Sequence, residues 1–399
     1  MSIVDEKSQE LPNQWACSLD FEKKINCMAL NASGNVLAVG LASNEIVVCD
    51  SETSSNRHFY HEHKAPPKTL SFSKHGHFLA SGDRSNQVIV RHLLSRKVIY
   101  QTETHYPIIE IMFSPVEVET LLILESKTLI LVNVLTGESR FREGDFVSCA
   151  WHPTNNKIFA ASIKEIFMID TNLDILSQLP LEARKNILKI EISHKGLLLL
   201  IIEKTGGCLL FQIEAQAVIH TFQDSVGRMK WTSAIFDPRD EFVVFASNEM
   251  ALCTLTIFSV AAQSLGTLVS DLQGPNEPVG QMIYHPFHPV IYTRGIESIR
   301  VWTPTFLNSW SKFMPGFVDV LANDLYYERE DEFDEEEEVP EPDKIIHTDT
   351  IDVFSVPPTV NSIYNSNDVL NYLPLDVDVL IHVNNQNGNS PYYRQPSNF

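Results

Sequence analysis

Much that would declare a chemistry is missing from this sequence. Its 399 residues include six cysteines (Cys17, Cys27, Cys49, Cys149, Cys208 and Cys253), scattered and without a C-x-x-C pair. That spacing argues against a disulfide framework and a structural zinc site, and it fits a reducing cytosol or nucleus. Basic residues are few, 30 against 51 acidic, for a formal charge of −21. The overall field argues against nucleic-acid binding, because phosphate contacts need a positive surface. Long apolar runs are absent as well. The longest, Leu197–Ile202, falls far short of the roughly 20 residues of a membrane-spanning helix, so no membrane partner is expected. The opening residues MSIVDEKSQELPNQ are too polar and acidic for a signal peptide. G-x-S-x-G, G-x-G-x-x-G and the phosphate-loop pattern are all missing, which leaves hydrolase, dinucleotide and nucleotide chemistry without support. No enzyme and no cofactor is expected.

What is present is apolar substance and one dense acidic block. Hydrophobic residues make up 44% of the chain, enough for a large core. Asp324–Asp343 holds twelve acids and one arginine, a net of −11, leaving −10 for the rest. Like charges at that density repel and keep a segment extended. The expected division is a flexible N-terminus over 1–14, a folded domain over 15–306, a hinge over 307–325, an acidic motif over 326–343, a short motif over 350–358 and a polar tail over 359–399.

The folded part repeats. Apolar strands ending just before a polar turn recur at Leu30, Phe72, Phe113, Trp151, Ile192, Phe236 and Tyr284, in steps of 38 to 48 residues averaging about 42. A second landmark, in a later β-rich run, falls at Cys49, Arg91, Val132, Ile169, Phe211, Phe258 and Trp302, 18 to 22 residues after the first. Two landmarks in phase over seven units predict an all-β, seven-bladed WD-repeat propeller carrying an extended acidic C-terminal tail. Only the last unit keeps Trp at the second landmark. Stacked sheets bury each other's faces, which accounts for runs such as Leu121–Leu124 in place of strict alternation. A ring must also hide its last edge. A strand near Trp15–Phe21 is expected beside Ile299–Trp302, the plainer alternative being that it is the outer strand of the first blade.

Few side chains suggest a reaction. His61, His63, His75 and His77 invite a zinc reading but lack a third and fourth ligand at sensible spacing. Histidines before the first strand of such a repeat commonly hydrogen-bond within the blade. Asp237 and Asp240 read as solvated turn residues. Arg184-Lys185 and Arg228-Met-Lys230 are isolated basic spots on an acidic chain.

The tail says more. Asn308–Val320 carries Trp310, Phe313, Phe317 and Val320, too apolar for a free linker. Tyr326–Glu335 sets Phe333 among carboxylates, which suits a basic groove with one apolar pocket. Ile351–Pro358 is a β-prone segment limited by two prolines, and Asn371–Leu375 is a small apolar island.

In this order, NSWSKFMPGF, LYYEREDEFDEEEE, IDVFSVPP and YLPL resemble the retinoblastoma-binding protein 5 family, the WD-repeat subunit of COMPASS and mixed-lineage-leukaemia histone H3 lysine methyltransferase complexes. Propeller stretches such as Leu37–Gly40, His75–Gly82 and Tyr284–Ile291 add to the likeness. The resemblance implies a nuclear, non-catalytic scaffold, monomeric within a hetero-oligomer. Phe317 and Val320 would contact a SET-domain methyltransferase. Tyr327, Glu330, Glu332, Phe333, Asp334 and Glu335 would hold a SPRY-domain subunit, and Asp352 and Val353 a WD-repeat core subunit. Arg228 matches a position from which the family meets nucleosomal DNA, although most of that basic character is missing here. The approach to the third motif, His347–Thr350, also lacks the family's usual acids. The competing reading is a WD-repeat adaptor of another nuclear assembly, such as a ubiquitin-ligase substrate receptor.

Overall fold

A computed structural model describes residues 11–55, 57–181, 186–223, 230–247, 254–274 and 277–304. Among them the regular structure is entirely β, 28 strands in seven four-stranded antiparallel sheets. Blade one comprises Ile25–Leu30, Val36–Leu41, Ile46–Asp50 and His58–Tyr60, in order across the sheet. Blade two runs from Pro67–Phe72 to an outer strand at Lys97–Glu103. Blade three comprises Ile108–Phe113, Thr120–Glu125, Thr128–Asn133 and Ser139–Glu143. Blades four to seven begin at Phe146–Trp151, Ile187–Ile192, Trp231–Phe236 and Gln281–Tyr284. The first strands touch one another in a closed cycle from blade one to blade seven and back to one. They are the inner strands of a seven-bladed propeller.

The two landmarks keep phase because they lie in one row of each sheet. Leu30 pairs with Leu37, which pairs with Cys49, and in blade three Phe113 pairs with Leu121, which pairs with Val132. In blade seven Tyr284 pairs with Ile291, and Ile291 with Trp302. Antiparallel pairing fixes that register, since a one-residue slip would turn every side chain to the wrong face.

The turn after each first landmark has a common device that the composition of the turns alone did not expose. The next residue is Asn31, Ser73, Ser114, His152, Ser193, Asp237 or His285, all buried. In every blade its side chain accepts a hydrogen bond from a backbone amide of the turn or of the strand that follows. Asn31 Oδ1 takes Val36 N at 3.0 Å, Ser73 Oγ takes Phe78 N at 3.0 Å, and Ser114 Oγ takes Glu117 N at 3.1 Å. His152 Nδ1 takes Asn155 N at 3.1 Å, and Ser193 Oγ takes Leu198 N at 3.1 Å. Asp237 Oδ1 takes Phe242 N at 2.7 Å, and His285 Nδ1 takes His288 N at 2.9 Å. Short polar acceptors are what a tight turn needs for amides that the ladder leaves free.

The core is split into seven apolar layers, one between each pair of neighbouring blades. Second strands are covered on both faces, so Val36–Leu41 and Thr120–Glu125 are buried at every residue. Each fully buried Leu, Ile or Val contributes about 1.5–3 kcal/mol relative to exposure. Polar side chains stitch the inner strands together. Thr69 and Ser71 accept the amides of Ile111 and Phe113, and Ser148 accepts that of Ile190.

Ring closure is made by both ends of the propeller. Gln14–Asp20 pairs antiparallel with Ser298–Thr303, setting Trp15 opposite Trp302. The outer strand of blade one is instead His58–Tyr60, so the plainer alternative fails. The chain joins this edge slightly earlier than the sequence indicated, for Asn13 N donates to Thr303 O at 3.2 Å and Leu11 packs on the layer between blades six and seven. Across the joint, Gln281 Oε1 accepts Met28 N at 3.0 Å and its Nε2 donates to Met28 O at 2.9 Å. Arg294 donates to Ile25 O at 2.9 Å. At Gly34, which has φ +82°, a Cβ would collide with the His285 ring.

Trp302 is fully buried and its indole donates to Thr293 Oγ1, whereas Trp15 is 43% exposed. Trp302→Ala is expected to cost about 3–5 kcal/mol in denaturant unfolding, and Trp15→Ala less than about 1 kcal/mol.

Candidate partner-binding surfaces

Every tail residue singled out by the sequence (Phe317, Val320, Tyr327, Glu330, Glu332, Phe333, Asp334, Glu335, Asp352 and Val353) lies outside the described residues, as does Arg228. What the structure does place are the polar groups of the propeller, and it gives most of them structural duties.

His63 is buried in front of the inner strand of blade two. Its Nδ1 lies 3.1 Å from Asp83 Oδ2 and its Nε2 2.7 Å from Ser81 Oγ. Asp83 Oδ1 also accepts the amides of Ser85 and Gln87, which pins the next turn. Beside this group Arg91 stacks over Tyr60, 4.0 Å from the ring centroid, and pairs with Glu62 at 2.5 Å. Arg91 occupies the landmark position that Trp302 holds in blade seven, and a flat guanidinium can serve there because it stacks as a ring does. His61 lies apart, 3.5 Å from Glu45. Among the described residues no group of three or more His, Cys, Asp or Glu side chains is arranged to hold a metal.

Asp237 and Asp240 differ from the solvated pair that the sequence suggested. Asp237 is buried as the turn acceptor of blade six. Asp240, at φ +61°, reaches to blade five, where its carboxylate accepts the amides of His194 at 2.8 Å and Lys195 at 2.7 Å and lies 3.4 Å from His194 Nδ1. Both carboxylates are spent on structure, one within a blade and one between two. A single sequence shows both acids in a turn but not the neighbouring turn that they face.

Four thiols are equally committed to the core. Cys27, Cys49, Cys149 and Cys208 are buried and free. Burial pushes Cys27 up to about 12 and Cys49 up to about 11, so both stay protonated and unreactive at neutral pH. Ionised groups also meet between the inner strands of blades three and five. Lys189 Nζ lies 3.3 Å from Glu191 Oε2, and the neighbouring carboxylates of Glu191 and Glu110 hold the ammonium charged. Burial raises the Glu110 carboxyl.

The described propeller thus carries stitched joints and buried polar clusters, and its free features are surfaces. Comparison with known proteins points the same way. The model of the WD domain, G-beta repeat, matches residues 54–91, the stretch containing His63, Ser81, Asp83 and Arg91. The fission yeast (Schizosaccharomyces pombe) Set1 complex component swd1 is 27% identical over 371 residues, which take in 83% of this chain and 92% of that protein. A retinoblastoma-binding-like protein E of Dictyostelium discoideum is 27% identical, covering 78% of this chain and 66% of its own. Homologues of this chain carry the names retinoblastoma-binding protein 5 and Swd1. Among solved structures, the β-propeller domain of Myceliophteria thermophila Cps50 (Swd1) superposes with a TM-score of 0.65 at 20% identity, over 73% of this chain and all of that one. That likeness concerns the fold. The sequence match to the fission yeast homologue takes in 83% of the 399 residues, more than residues 1–304 can supply, so it continues into the tail.

The histidines set a pH dependence. Burial holds the imidazoles of His63 and His152 below the usual range. A lowered folded pKa favours the neutral ring, so that stability is complete above the unfolded value of about 6.5 and is lost as pH falls. The Asp240 carboxylate raises His194, whose contribution is present at low pH and is lost as pH rises through the folded value. Chemical denaturation at pH 5.5 and 7.5 is expected to show the protein less stable at the lower pH. His194→Ala should steepen that loss by less than about 1 kcal/mol, because the side chain is half exposed and screened.

Proposed function

We propose that this chain is the non-catalytic WD-repeat scaffold of a Set1/COMPASS-type histone H3 lysine methyltransferase complex, acting in the nucleus. The single observation that carries this reading is the match to Swd1 and retinoblastoma-binding protein 5 homologues along most of the chain, propeller and part of the tail together. A propeller alone would not do so, since the fold hosts many functions.

On this reading the tail does the assembling. Phe317 and Val320 present apolar groups to the SET-domain enzyme. Glu332, Phe333 and Asp334, flanked by Tyr327, Glu330 and Glu335, combine long-range charge steering with one aromatic anchor for a basic SPRY-domain subunit. Asp352 and Val353 dock on a second WD-repeat subunit, and Arg228 is the candidate contact to nucleosomal DNA. By holding the SET domain in its productive arrangement, the scaffold shifts the enzyme's population without entering the reaction.

Reconstitution with the other core subunits tests this. The full chain is expected to stimulate histone methylation, and a chain lacking residues 308–358 to lose both stimulation and stable assembly. Undiminished methylation by the shortened chain would overturn the reading. Phe333→Ala is expected to weaken SPRY binding by about 1–3 kcal/mol, roughly 5- to 150-fold in Kd, by calorimetry.

A further inference from the structure

A groove of about 400 Å³ opens between the outer strand of blade two, Lys97–Glu103, and the outer half of blade three. The face of blade three that lines it is built in cross-strand rows. Ile130 pairs with Ile123 on one side and Phe141 on the other, and Thr128 pairs with Glu143 beside Glu125. Tyr100 lines it from blade two. Two observations set this groove apart from an ordinary gap between blades.

The first is Phe141, which is 71% exposed on a strand whose other residues are polar or charged. The ring pairs across the sheet with Ile130 and shares the groove with Tyr100, so the exposed apolar surface is a contiguous patch of the kind that interaction surfaces offer. The second is Glu125, which is 1% exposed while its Oε1 has no hydrogen-bond partner. The carboxyl is held in place by Thr128 and by the backbone of Tyr106 and His105, and burial raises its pKa. A buried oxygen left without a donor is destabilising, and a ligand bringing a donor would relieve it. Glu143 adds a carboxylate to the same groove, as does Glu103, which lies 3.9 Å from the exposed Lys64 ammonium.

The groove therefore has an apolar floor, an aromatic ring and three carboxylates, one of them deep and lacking a donor at one oxygen. A guanidinium or ammonium group satisfies that oxygen and is drawn by the other carboxylates. Neighbouring apolar side chains would cover Phe141 and Ile130. We propose that the groove between blades two and three docks a basic, extended segment of a partner protein, with an arginine or lysine on Glu125 and an apolar side chain against Phe141. This assignment stands on the propeller alone, whatever complex the chain serves.

Random nine-residue peptides displayed on phage and selected on the immobilised full chain provide the probe. Survivors are expected to be enriched in Arg or Lys next to an apolar residue. Made synthetically, they should bind the full chain and lose about tenfold in affinity on Phe141→Ala, a surface change that leaves the melting temperature unaltered. Glu125→Gln should cost a similar factor for basic peptides, while Phe59→Ala, an exposed ring on blade one, should cost nothing. No enrichment, survivors without a basic residue, or equal binding to Phe141→Ala would each overturn the proposal. So would a tenfold gain in peptide affinity on Arg394→Ala, which would mean that the chain's own terminal arginine fills the groove.

Discussion

Each blade of this propeller is a four-stranded sheet that cannot cover its own faces, and the whole structure depends on that. All seven apolar layers lie between blades. A layer left open at one joint would expose two sheet faces at once, so the ring must close. Closure is distributed over the strand Gln14–Asp20, the Gln281 amide clasping Met28, and the close approach of Gly34 to His285. Contacts between residues some 250 positions apart are the slow, entropically costly part of such a topology.

The same demand explains the structural duties of several polar side chains among the described residues. His63, Asp83, Asp237 and Asp240 are the kinds of residue from which active sites are built, and here they fasten turns and joints. Four of the cysteines fill core positions as small apolar groups. What the described propeller leaves uncommitted is exposed surface. The groove beside Phe141 stands out because there a buried acid keeps one oxygen without a partner close to an exposed ring.

The repeat was legible in the sequence because antiparallel pairing ties Leu30, Leu37 and Cys49, and their equivalents, into single rows that insertions between strands cannot disturb without losing phase. The closing strand near Trp15 was legible for a related reason, since an open ring would leave an edge unpaired. The acceptor at the head of each turn was only half visible. Asn, Ser, His and Asp look unrelated in a list of turn residues until the structure sets each one's oxygen or ring nitrogen against a backbone amide. The linkage of Asp240 to His194 was not visible at all, because the two belong to different blades.

By itself, then, the sequence determined the fold class, the number of blades, the strand that closes the ring and the acidic character of the tail. Each of these follows from periodicity or charge along the chain. Only the tertiary structure decided which acids are buried, that Arg91 stacks where another blade has Trp302, and that Glu125 and Phe141 share a groove with Tyr100. Those depend on which faces of different sheets meet, and distances between sheets are not written in the order of residues.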